Sequence, residues 1–373
     1  MADVKTHLRE LSVATTVGLL IKGTKFTQKD FYDSKKFFSS AKDIIESNIE
    51  IANNITEYIA FNCEQKKIID NGYKLGHKIF SCKEFSFSKK DEILWLGNDS
   101  QKEDPVDLKI GKYKFSLKED SFILTNMGLY TLLNNLTGSS YQRGLNVFST
   151  FAPKEYDLWF ECAWKKFVQY LNTHNRWDYA NSNYQSYAYP QNDSIVLVFE
   201  NETSYVSKKA STNREFMNLT SSKTREKVFA KWINEQLGSD KEYIRIKKSC
   251  SEIAGLAVSK IIKDGYKPEN VCDFFRIYDS EYYYAKTTPS ETTILKVPNR
   301  KNFPNVVKFI DCEYEVPSSQ LNIITTFKNT MTNKQLKFRN ECRFSHGQFN
   351  GTPEAKMYVV KNTPLTSLYT PIK

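Results

Sequence analysis

Histidine is scarce in this chain: four in 373 residues, at 7, 77, 174 and 346, with no two close in sequence. Chemistry that needs a local histidine pair, such as zinc hydrolysis from an HExxH helix, is not expected, nor is a His-Asn-His nuclease site. Cysteine is sparse as well, with seven residues scattered without a CxxC pair. An odd, dispersed set argues against a disulfide framework and for reduced thiols in a cytoplasmic compartment. Long apolar runs are missing. The longest near the start, 13–21, is interrupted by Thr15, Thr16 and Gly18 and is too short to span a bilayer. Asp3 and Glu10 precede it and no small-residue cleavage site follows, so a buried first helix is expected in place of a secretory signal. There is also no basic amphipathic helix rich in Trp or Phe, which removes the membrane from the expected partners.

What is present is a basic, aromatic, globular composition. Lys plus Arg number 53 against 43 Asp plus Glu, a net charge of +10, with 40% hydrophobic and 14% aromatic residues. An excess of that sign suits a polyanion, nucleic acid or an anionic membrane surface, with solubility alone as the alternative. The length exceeds the roughly 250–300 residues at which single cores stop growing, so two lobes are expected. Helical periodicity covers 9–22 and 41–64, the second placing Glu46, Glu50, Glu57 and Glu64 opposite its apolar face. Short β-like runs follow at 93–96, 106–110 and 113–117, then a helical pattern at 126–137. Further helices are expected at 154–172, 223–237 and 249–263, with an exposed Tyr- and Asn-rich loop at 179–193 and a strand at 194–200. From about 270 the pattern is almost wholly β. The expected division is an α/β lobe over 1–265 and a β-rich lobe over 266–373.

The segment 103–120 carries the chemistry. Gly111-Lys112 between two apolar runs predicts a tight hairpin. Such a turn pairs Asp107 with Ser116 and makes Lys118 a diagonal neighbour, with Ser116, Lys118 and Asp120 on one strand face. A carboxylate beside a lysine on adjacent strands of a basic protein suits metal-assisted phosphodiester hydrolysis: Asp107 holding Mg²⁺, Lys118 orienting water and neutralising charge on the phosphate.

These residues resemble the PD-(D/E)xK nuclease superfamily, the fold of most type II restriction endonucleases. Pro105-Val106-Asp107 and, after the glycine turn, Ser116-Leu117-Lys118 match its core hairpin, and the helical pattern at 126–137 follows where the family keeps a helix. The likeness covers roughly 40–170. It implies a restriction-endonuclease-like mixed central sheet flanked by helices, Mg²⁺ as cofactor and double-stranded DNA as partner, and is compatible with a homodimer. The chain departs from the pattern at Ser116, where the family usually has Asp or Glu. Two candidates for the displaced carboxylate stand open: Asp120, which shares a face with Lys118 and would join Asp107 on the metal, and Glu57 from the 41–64 helix.

For DNA contact, Lys337, Arg339 and Arg343 share one face of a late strand by alternation, with Gln348 following; Arg, Lys and Gln are side chains that read base edges. Lys208, Lys209 and Arg214 are candidates for phosphate contacts. The expected function is a Mg²⁺-dependent type II restriction endonuclease. A basic nucleic-acid-binding protein without catalysis is the alternative, and a structural protein with incidental charge a third.

Overall fold

The computed structural model describes residues 4–45, 61–96, 106–118, 123–179, 184–275, 277–288, 291–360 and 368–372. Helix α1 (Val4–Lys22) is buried continuously from residue 7 to 19, polar positions included. Helix α2 (Ser34–Ile44) begins at Asp33, whose carboxylate accepts the Lys35 and Lys36 N–H groups. Helix α3 (Cys63–Ser81) begins with a reciprocal cap: the Asn62 side chain accepts from the Gln65 N–H, and the Gln65 side chain from the Asn62 N–H. The helix expected over 41–64 lies largely outside the described residues, between α2 and α3.

Helices α1 and α3 cross closely because Gly72 and Gly76 fall on their contact line. A Cβ at Gly72 would lie 2.6 Å from Ser12 Cβ and 2.8 Å from the Arg9 carbonyl oxygen; one at Gly76 would lie 2.6 Å from Thr16 Cβ. Ser12 Oγ donates to the Ile69 carbonyl at 2.8 Å across this seam.

Strands β1 (Ile93–Trp95), β2 (Leu108–Ile110) and β3 (Tyr113–Lys118) form an antiparallel meander. The β2–β3 turn is Gly111-Lys112, with Gly111 at φ 54°, so Ile110 pairs with Tyr113 as the spacing predicts. The chain then enters a second lobe through β4 (Ile123–Gly128), α4 (Leu129–Thr137) and the long α5 (Pro153–His174). Strands β5 (Trp177–Asp178), β6 (Ser186–Gln191), β7 (Ser194–Phe199) and β8 (Glu202–Ser207) form a four-stranded antiparallel sheet. A π-helical turn (Arg225–Phe229) and α6 (Lys241–Gly265) follow.

The chain returns to the first sheet as β9 (Tyr282–Thr287), which pairs parallel with β3, and β10 (Thr292–Val297). Strands β11 (Val307–Glu315), β12 (Asn322–Asn329), β13 (Gln335–Arg343) and β14 (Glu354–Val359) build a five-stranded antiparallel sheet with β4 at its edge. A final strand, β15 (Thr370–Pro371), closes the first sheet in the order β1-β2-β3-β9-β10-β15. The protein is therefore mixed α/β, with a mixed six-stranded sheet. Among the described residues no helix is long and apolar enough to cross a membrane.

Two hydrophobic cores share this sheet. Phe115, Leu117, Tyr283 and Ala285 face the core under α1, α2 and α3. Tyr282 and Tyr284, on the opposite side of β9, face the core that holds the second lobe. The expected division at residue 265 does not coincide with this arrangement, since β9, β10 and β15 lie in the first sheet and the second core gathers buried residues from both sides of 265, from Met127 to Tyr369. Two local expectations are also corrected. Much of the proposed exposed loop is strand β6 with Ala188 buried, because the tyrosines alternate along a sheet; and the region expected to be almost wholly β from about 270 begins with a short helix, Val271–Phe275.

Gly72→Ala and Gly76→Ala should each destabilise the protein by about 1–3 kcal/mol, since the new methyl must push two backbones apart. Urea denaturation measures this; unchanged midpoints in both variants would mean that the crossing is not close-packed.

Candidate active site

The β2–β3 hairpin delivers the residues its spacing implies. Asp107 lies just before β2, fixed by its own N–H donating to the Phe115 carbonyl at 2.9 Å and its carbonyl accepting from Leu96 N–H at 3.0 Å. Its Oδ2 accepts the Leu117 N–H at 2.6 Å, the Ser116 hydroxyl at 3.4 Å and the Lys118 ammonium at 3.5 Å. The side chains of Lys118 and Asp107 are 27% and 14% exposed, a pair at the edge of the interior and still open to solvent. Ser116, only 2% exposed, is an internal hydroxyl spent on Asp107. In register with Lys118 on β9 stands Lys286, a second cation at the same end of the sheet.

The sequence reading missed the second carboxylate at this site. Glu10, in the middle of α1, is 4% exposed, and its Oε2 accepts the Trp95 indole N–H at 2.8 Å. Trp95 lies opposite Leu108 in the strand beside Asp107, and His7 packs edge-on against its ring. The Glu10 carboxyl is pushed up to about 7, first by burial and then by the negative charge of Asp107; the Trp95 N–H, Arg9 and Lys118 pull it back. Glu10, Asp107 and Lys118 are thus one electrostatic group drawn from a helix and two strands. The sequence signal was present: Arg9 and Glu10 are the only fixed charges between Lys5 and Lys22 in a helix otherwise buried all round.

The other candidates divide. Glu57 and Asp120, with Pro105 of the motif, lie outside the described residues. Among the described residues no group of three or more His, Cys, Asp or Glu side chains gathers as a metal cluster. The helix after the hairpin exists as α4, but β4 separates it from β3 and it packs in the second core.

Lys337, Arg339 and Arg343 do share the outer face of β13, while Leu336, Phe338, Asn340 and Cys342 are buried behind them. The Arg339 guanidinium lies 4.8 Å from the Tyr358 ring centre. Gln348 turns inward, its Oε1 accepting the Tyr243 hydroxyl. Lys208 and Lys209 sit in the turn after β8, and Arg214 on the exposed side of the following short helix Asn213–Leu219, on elements separate from both β13 and the Asp107 hairpin. No protein-family model matches the chain, and neither a curated protein nor a solved structure is found to match it.

Glu10 makes stability depend on pH in a defined direction. Its ordinary value is 4.5 and its folded value about 7, so between these the folded state keeps a proton that the unfolded chain releases. Stability from this group is complete below pH 4.5 and declines as pH rises towards 7. Glu10→Gln keeps the acceptor for Trp95 and removes the cost, so it should match the wild type near pH 4.5 and exceed it by up to about 3 kcal/mol at pH 8. Urea titrations at both pH values measure the difference; a gap that does not grow with pH would show that Glu10 is not strained by its surroundings.

Proposed function

We propose that the protein is a Mg²⁺-dependent endodeoxyribonuclease with a restriction-endonuclease-like fold, a type II enzyme cutting a short site in duplex DNA. The observation that carries this reading is the meeting of Asp107 and Lys118 across the hairpin with Glu10 electrostatically coupled to both. A mixed sheet with that hairpin beside a parallel strand supports the likeness to the PD-(D/E)xK superfamily. Glu10 takes the place left by Ser116, in preference to Asp120 or Glu57.

The donor set fits a hard divalent cation. Burial first, and the charge of Asp107 second, push the Glu10 carboxyl up to about 7, and a cation held by both carboxylates would relieve the repulsion between them. Every side-chain hydrogen bond that Asp107 accepts among the described residues falls on Oδ2, so Oδ1 is the oxygen left for a ligand. Mg²⁺ keeps several waters and is usually held by one or two carboxylates, which matches Asp107 and Glu10. Bound there, it would supply polarisation of a phosphate oxygen and a more acidic water.

The protein's own groups do the rest. Asp107, clamped by the Leu117 N–H, keeps a fixed orientation relative to β3. Lys118 sets its ammonium against the scissile phosphate, orients the attacking water and offsets charge that accumulates there. Lys286 adds a second positive charge in register. The exposed face of β13, with Lys337, Arg339 and Arg343, offers contacts to duplex DNA, and Lys208, Lys209 and Arg214 offer phosphate contacts farther off.

Duplex phage DNA incubated with Mg²⁺ should give discrete bands on a gel, and chelation should stop the reaction. Lys118→Ala and Asp107→Ala should each lower cutting by about 10²-fold or more with duplex binding retained, whereas Ser116→Ala should cost far less. Near-normal cutting by either of the first two would refute the site. Salt-dependent binding without cleavage by the wild type would support the non-catalytic alternative.

A further inference from the structure

The second lobe carries a cleft of about 360 Å³, partly open to solvent and remote in the chain from the hairpin. Its walls are α5 and α6, the π-helical turn, and the segments at 319–321 and 342–348. This volume falls in the range of small-molecule sites. Among the described residues, Lys227, Lys231, Lys247 and Arg343 line it against a single carboxylate, Glu226. Glu226 is already engaged, 2.7 Å from Lys227 and 3.8 Å from His346 Nδ1.

Lys247 is the telling member. Half-buried, it places its ammonium 5.6 Å from the Trp159 ring centre. Burial lowers its pKa, with no opposing carboxylate among the described residues. Lys166, by contrast, is held between Asp240 at 3.0 Å and Glu242 at 2.9 Å, and its pKa is raised. A desolvated ammonium without a counter-ion is costly to keep, and an anion in the cavity would repay that cost.

The backbone around the cavity is itself unusual. The turn Arg225–Phe229 is π-helical, a form found often at functional sites. Opposite it, Gly347 has φ 90° and would collide with Ala230 if it carried a Cβ. Phe349 has φ 62° although it is bulky and fully buried. Two glutamines are pre-set on the walls: Gln320 Nε2 donates to the Cys342 carbonyl, and Gln348 Oε1 accepts from Tyr243. One acceptor, Gln320 Oε1, and one donor, Gln348 Nε2, remain for a ligand.

We infer that this cavity binds a phosphate-bearing ligand of mononucleotide size, with its phosphate held by Lys247, Lys231 and Arg343 and its polar edge met by Gln320 and Gln348. The ligand is a free nucleotide or a nucleotide unit of a DNA strand. The inference stands apart from cleavage at Asp107 and Lys118, and its test needs no Mg²⁺.

Titration calorimetry of the full chain in EDTA, with a 5′-mononucleotide, the matching nucleoside, inorganic phosphate and a short single-stranded oligonucleotide, separates the cases. The mononucleotide should bind, and more tightly than either phosphate or nucleoside alone. Lys247→Met, which keeps the stem on Trp159, and Arg343→Gln, at an exposed position, should each weaken binding at least tenfold. Lys248→Ala, which removes an exposed neighbour paired with Glu252, should leave it unchanged. Binding of the oligonucleotide alone, with the same dependence on Lys247 and Arg343, would identify the strand as the source. No binding of either nucleotide form, phosphate binding as tightly as nucleotide, or equal loss in the Lys248 variant would overturn the assignment.

Discussion

The pairing of Phe115–Lys118 with Tyr283–Lys286 is the constraint on which the rest of the molecule hangs. A parallel pair cannot be closed by a tight turn, and the chain uses the crossover to house α4, α5, the four-stranded sheet and α6, a large part of the second lobe. Because successive side chains of β9 point to opposite faces, one strand supplies Tyr283 and Ala285 to the first core and Tyr282 and Tyr284 to the second. The same pairing fixes the end of β3, and with it the height at which Lys118 meets Asp107. Lys114 Nζ donates to Ser280 Oγ across 166 residues of sequence, a second tie between the same two segments.

Around that tie the molecule holds a group of charges that it would fold more easily without. Glu10, pushed up to about 7, is a carboxyl placed where neither burial nor Asp107 favours ionisation. Pairs of titratable groups driven apart in this way are what catalytic sites use, and they are built at the expense of stability. Ser116 fits this account. A carboxylate at that buried position would bring a third negative charge into a space where two already compete, whereas a hydroxyl donates to Asp107 and orients it.

Local signals in the sequence were sufficient for the hairpin. Gly111-Lys112 and the alternation around it specify the turn, the register and the contact between Asp107, Ser116 and Lys118, all within a dozen residues. They were also sufficient for β13, where Lys337, Arg339 and Arg343 emerge on one side as period two requires. Glu10 stands out as a charge within an apolar stretch, but its partner carboxylate lies almost a hundred residues away, so nothing local ties it to Asp107. The role of Gly72 and Gly76 in α3 is to admit Ser12 and Thr16, which only the tertiary crossing reveals. The division into lobes was misplaced for a related reason. Strand composition marks β9 and β10 as β, but which sheet they join is decided by non-local pairing.

The inserted lobe also bears on the order in which the protein comes into being on the ribosome. The Asp107–Lys118 hairpin is synthesised early, yet its parallel partner β9 emerges only after α4, α5, the four-stranded sheet and α6 have been made, and β11 to β14 follow later still. Domains fold as units during synthesis, and pairings between distant segments are the slow ones. The helices α4 to α6 and the four-stranded sheet can therefore begin to gather while β3 still presents an unpaired edge, and β9 docks only after them. For a protein proposed to cut DNA, this sequence of events is a built-in delay. A nascent chain has Asp107 and Lys118 in hand but lacks the partner strand that sets Lys118 in place.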